Sequence, residues 1–134
     1  MTMTTPAGPT STDPRPPAEV LREYFNAWAA KDFARLRALL ADDVTFVGPL
    51  GRAHDADRYV EGIARLSEIV EDVVVEKMVI DGPDVMTWFE LRTSVAEPRP
   101  VVNWSTVESS RIKRVRVAFD PRGLAPASSR QGAS

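Results

Sequence analysis

The feature that most constrains this chain is an apolar and aromatic stripe at helical spacing: Val20, Leu21, Tyr24, Phe25 and Trp28. Intervals of three and four place all five on one face of one helix. Charged Arg22, Glu23 and Lys31 fall off that stripe. Asp32 is positioned to cap a second helix, its carboxylate accepting from free backbone N–H groups. Phe33, Leu36, Leu39 and Leu40 continue the stripe, and Ala41-Asp42-Asp43 ends the helix. Val44 and Phe46 switch to strand chemistry, and Gly48-Pro49-Leu50-Gly51 stops the strand. The rest of the chain must then supply a surface to cover this helix pair.

That surface is a sheet. Arg52-Ala53-His54-Asp55 reads as a loop, with Asp55 capping a third helix whose face carries Tyr59, Ile63, Leu66 and Val70. Strands follow over Val73–Ile80, Val85–Val95, Val101–Val107 and Ile112–Phe119, separated by Asp81-Gly82-Pro83-Asp84, Glu97-Pro98-Arg99-Pro100 and Glu108-Ser109-Ser110-Arg111. Helices segregated from a run of closely connected antiparallel strands define an α+β fold. Residues 1–17 hold five of the eleven prolines and read as a flexible arm. Residues 123–134 read as a flexible tail, leaving one domain over 18–122.

Alternation along the strands assigns faces. Val85, Thr87, Phe89 and Leu91 turn inward and Met86, Trp88, Glu90 and Arg92 outward. Val115, Val117 and Phe119 turn inward on the last strand. Val101–Val107 is open: either Val101, Asn103, Ser105 and Val107 face in, or Val102, Trp104 and Thr106 do.

Composition narrows the function classes. A net charge of -2 argues against nucleic acid as the main partner. The absence of cysteine excludes disulfides and thiolate metal sites. No apolar run approaches the roughly 18 residues that span a bilayer, and residues 1–17 lack the apolar segment of a secretory signal. A cytoplasmic protein with neither nucleic acid nor membrane as partner is expected.

The runs EYFNAWAAKDFARLRALLADDVTFVGPLG and WSTVESSRIKRVRVAFDP resemble the nuclear transport factor 2-like superfamily, in its SnoaL-like and ketosteroid isomerase-like branch. The resemblance covers about residues 18–122. It implies a cone-shaped curved antiparallel sheet wrapped around helices, a cystatin-like α+β roll, with an apolar pocket in its open end. It also implies a homodimer through the convex face, here carrying Trp88, Glu90 and Arg92, and Trp104 as well if that residue faces outward. In ketosteroid isomerase-like members a tyrosine on the first helix donates to the substrate oxygen, a position matching Tyr24. The general base precedes the proline of the first strand's turn, which matches Gly48 and its missing side chain. A second donor on the next-to-last strand matches Asn103 if one residue is removed from the following turn, or Val102 if none is.

The candidate site follows. Tyr24 is either a packed core ring with a tethered hydroxyl or a pocket donor. Asn103 is the second polar anchor, and His54 with Asp55 is a candidate base with an orienting carboxylate. Asp55 as a helix cap and His54 as a loop residue is the competing reading. Trp28, Phe46, Tyr59, Ile63, Phe89 and Phe119 are core residues that line the pocket where the cone leaves its mouth unfilled. No metal site and no cofactor are expected. The functional expectation is a hydrophobic small molecule held in the cone, with isomerase, cyclase or hydratase chemistry. The alternative is a non-catalytic binding or dimerisation module of the same fold.

Overall fold

The structure, a computed structural model, describes residues 15–124. Most of the expected arm and tail lies outside the described residues. Their inner ends are ordered: Pro17 opens the first helix, the Arg15 backbone N–H donates to Ser110 Oγ at 2.6 Å, and Leu124 is buried.

Helix α1 spans Pro17–Ala29, and its inward face is the stripe seen in the sequence plus Ala27. Proline suits the first helical position because no N–H is needed there. Helix α2, Phe33–Ala38, is capped by Asp32, whose carboxylate accepts from the Arg35 N–H at 3.2 Å. Strand β1, Leu40–Gly48, then begins earlier than expected, taking in Ala41-Asp42-Asp43. The cause is tertiary. Ile112 N–H donates to the Leu39 carbonyl at 2.8 Å and Lys113 Nζ holds the Asp43 carboxylate at 2.6 Å, so the chain leaves the helix directly into the sheet.

After the Pro49-Leu50 turn, Gly51–Ala53 forms a short strand, β2, against β1, where a loop was expected. Helix α3, Ala56–Ser67, ends before Val70, which instead starts β3, Val70–Asp81. Strands β4 (Asp84–Thr93), β5 (Arg99–Glu108) and β6 (Arg111–Ala118) complete a sheet of order β2-β1-β6-β5-β4-β3. All pairs are antiparallel except β1 with β6, whose parallel pairing is allowed by the long connection between them.

The open question on β5 is settled by register. Phe89 lies opposite Val101, Thr87 opposite Asn103 and Val85 opposite Ser105. Partners across a ladder share a face, so Val101, Asn103, Ser105 and Val107 are buried while Trp104 faces out. Bulges between Val75 and Lys77 and between Thr106 and Val107 add to the bend of the sheet. Helix α1 lies against β3, β4 and β5, with Phe25 and Trp28 packed on Phe89 at ring separations of 5.1 and 5.7 Å.

Candidate functional site

The helices do not fill the concave side of the sheet. A cavity of about 340 Å³ remains between α1, α3 and strands β1, β2, β4, β5 and β6. Its lining separates by exposure. Tyr24, Trp28, Tyr59, Phe89, Leu91, Val101 and Asn103 form a buried floor. Leu50, Arg52, Arg58, Glu61, Gly62 and Arg65 form an exposed rim.

The floor is apolar apart from two anchors. The first is the Tyr24–Tyr59 pair, whose hydroxyl oxygens are 2.6 Å apart. Two hydroxyls carry two protons and their mutual bond uses one, so one O–H remains to donate. Burial pushes both phenols above their ordinary pKa, which keeps them neutral donors. Phe46 stacks on Tyr59 at 4.8 Å and 21°, and Trp28 Nε1 donates to Ser67 Oγ at 2.9 Å. Both contacts fix the surrounding rings.

The second anchor is Asn103. Its Oδ1 accepts from Ser105 Oγ at 2.6 Å, leaving the amide N–H groups without a partner among the described residues. An inward amide of this kind breaks the apolar alternation of its strand at a cost unless something accepts from it. The anchors sit on different elements, one on the helices and one on the sheet, and both are neutral hydrogen-bond donors.

Of the residues singled out from sequence, Tyr24, Asn103, Trp28, Phe46, Tyr59, Ile63, Phe89 and Phe119 all line the cavity. His54 and Asp55 do not. His54 is exposed in the bend before α3, and the Asp55 carboxylate accepts from the Arg58 backbone N–H at 2.8 Å, the geometry of a helix cap. At Gly48, a Cβ would lie 2.9 Å from Phe46 Cζ, so the Phe46 ring occupies the space a side chain there would need. Among the described lining residues the one carboxylate is Glu61, on the rim.

Two features escaped the sequence reading. The sequence makes Tyr59 a lining ring, and the structure adds its role as the hydroxyl partner of Tyr24. The usable signal was that both tyrosines of the chain sit on inward helix faces. The rim charges were also missed, although Arg58, Glu61 and Arg65 recur at intervals of three and four along α3. Among the described residues, no three of His, Cys, Asp and Glu gather to hold a metal ion, and no helix is long and apolar enough to cross a membrane.

A bent six-stranded sheet over three helices, with the cavity between them, defines an α+β fold of the nuclear transport factor 2-like and cystatin-like class. Within it, residues 21–116 match the SnoaL-like domain family, and the chain belongs to that family. An NTF2-like protein of unknown function from Cytophaga hutchinsonii shares 23% identity and a TM-score of 0.75, over 86% of this chain and 98% of its own. An LEH-like epoxide hydrolase from M. tuberculosis shares 22% identity and a TM-score of 0.69, over 81% of this chain and 85% of its own. A protein with a ketosteroid isomerase-like fold from Catenulispora acidiphila, in complex with trimethylamine, shares 17% identity and a TM-score of 0.70, over 82% and 95%. At these identities the likeness is one of fold. No curated protein matches the sequence.

Proposed function

We propose that this protein binds a hydrophobic small molecule in the cavity and holds one oxygen of it, a carbonyl or hydroxyl, on the neutral donors of its floor. The observation that carries this reading is the Tyr24–Tyr59 pair, which has one O–H left to give on a floor that is apolar apart from this pair and Asn103. A cavity of this size lies within the usual range for small-molecule sites, roughly 300–1,000 Å³. Donors held in a water-poor site polarise a carbonyl more strongly than water does. Proton abstraction has no support from the floor, because Phe46 fills the space beside Gly48 and the lining carboxylate is on the rim. The function is therefore binding with polarisation of the bound oxygen. The protein acts as a homodimer in the cytoplasm, joined through the outward face that carries Trp88.

The three tryptophans make a direct test, since Trp28 lines the cavity and Trp88 and Trp104 face outward. Adding 2-acetylnaphthalene to isotopically labelled protein should shift the Trp28 indole N–H resonance and the Asn103 side-chain amide. The Trp88 and Trp104 indoles should stay in place. Shifts confined to Trp88 and Trp104 would put the ligand on the outer sheet face and refute the cavity reading.

A further inference from the structure

We propose that the natural ligand carries one anionic group, which Arg52, Arg58 and Arg65 receive at the mouth while the apolar body enters the cavity. This rests on the binding role given above and goes further, to the chemical class of the ligand.

The rim is locally opposite in charge to the molecule. The chain has a net charge of -2, yet the mouth presents three guanidiniums against the single carboxylate of Glu61. These arginines are also uncommitted. None of Arg52, Arg58 and Arg65 is in an ion pair among the described residues; Arg22, Arg99, Arg111, Arg114 and Arg116 share that state, but none of those five lines the cavity. Their placement converges from two elements, β2 and α3, with Gly62 between Arg58 and Arg65 on the helix. A Cβ at Gly62 would meet nothing within 4 Å, so the lip there is open.

The division of labour follows from desolvation. An anion driven to the floor would lose its water to neutral donors alone, at a large cost. At the exposed lip it keeps part of its hydration and gains planar, multidonor guanidinium partners suited to an oxyanion. The ligand class is thus an amphipathic oxyanion: a compact apolar body, an oxygen near its inner end, and an anionic group at its outer end.

A matched pair of fluorophores tests this on the full chain: 1-anilinonaphthalene-8-sulfonate and its uncharged parent, N-phenyl-1-naphthylamine. The sulfonate should bind about tenfold tighter or more at low salt, the scale of a charge-assisted hydrogen bond. That advantage should shrink as ionic strength rises, because exposed charges are screened. Combining Arg52→Gln, Arg58→Gln and Arg65→Gln should bring the sulfonate to within about twofold of the parent. The single variants give the same comparison in steps if the triple variant does not fold.

Gly62→Trp, which plugs the lip, should abolish binding of both compounds and so locate them in the cavity. Equal affinities on the native protein, or a sulfonate advantage that survives loss of the arginines, would overturn the anionic-ligand inference and leave the binding reading intact. Parent binding that is absent, or indifferent to Gly62→Trp, would overturn the binding reading and this inference with it.

Discussion

The hydroxyl of Tyr24 on α1 and that of Tyr59 on α3 meet at 2.6 Å, and these are the two tyrosines of the chain. The bond ties the two helices together at the cavity floor. It also decides what the floor can do. Burial keeps both phenols protonated, so the pair donates and does not act as a base.

The pair makes a prediction about alkaline pH. The ordinary tyrosine value is 10.0, and both folded values are raised above it by burial. Below pH 10 the folded and unfolded chains hold these protons equally, and the stabilisation is fully present. Above it the unfolded chain sheds protons that the folded chain keeps. Stability should then fall by up to about 1.4 kcal/mol per pH unit for each tyrosine until the folded values are reached. Phenolate absorbance should stay flat past pH 10 and rise together with unfolding. A smooth titration centred near pH 10 with the fold intact would contradict the buried pair.

Gly48 tests the packing that replaces a base. Gly48→Ala places a Cβ 2.9 Å from the Phe46 ring, which must then slide against Tyr59. Because the nearest atom is the far end of a movable side chain, the loss should be about 1 kcal/mol, at the low end for overpacking. Chemical denaturation measures it. The native protein should also show no turnover of a β,γ-unsaturated ketosteroid, since general acid–base catalysis of roughly 10²–10⁴-fold is missing from the floor. An unchanged midpoint for Gly48→Ala would mean that Phe46 is not seated as described.

How much of this was legible in the sequence depended on how local the deciding interaction was. The α1 stripe was fully readable, since helical period alone buries Val20, Leu21, Tyr24, Phe25 and Trp28. The start of β1 was not. Ala41-Asp42-Asp43 is polar enough to end a helix, and only pairing with Ile112 and Lys113, far along the chain, draws it into the sheet. The inward face of β5 was ambiguous for the same reason, because it puts polar Asn103 and Ser105 inside and Trp104 outside. Eight of the residues expected to line the site do line the cavity. His54 and Asp55 stand outside it, because adjacency in sequence carries no information about a shared direction at a strand-to-helix bend. The rim arginines had no signal that separates a ligand mouth from a solvated helix face.

Asp55 is predicted to be structural. Asp55→Ala removes the acceptor for the Arg58 N–H and should cost about 1 kcal/mol, as loss of a helix cap does. Affinity for 2-acetylnaphthalene should change by less than about twofold, because the carboxylate does not reach the cavity lining. A large loss of affinity without loss of stability would return Asp55 to the site.

The outward sheet face is predicted to be a dimer interface. Val79, Met86 and Trp104 are cross-strand neighbours, and Trp88 lies beside them opposite Val102. Val79, Met86 and Trp88 are 51%, 44% and 47% exposed, a contiguous apolar surface that a monomer would leave in water. Sedimentation at micromolar concentration should give twice the 14.8 kDa chain mass, and Trp88→Glu should halve it. A 14.8 kDa species alone for the native protein would reject the interface.

The most direct test of the binding role compares 2-acetylnaphthalene with 2-isopropenylnaphthalene, which replaces the carbonyl oxygen by a methylene and keeps the shape. Titration calorimetry on the native protein should find the ketone about tenfold tighter or more, the scale of a hydrogen bond made in a dry site. In the double variant Tyr24→Phe/Tyr59→Phe, which removes both hydroxyls, that preference should shrink several-fold, whereas Tyr24→Phe alone leaves the Tyr59 O–H free to donate. Equal binding of ketone and hydrocarbon by the native protein, or a preference that the double variant leaves untouched, would contradict an oxygen held on the tyrosine pair.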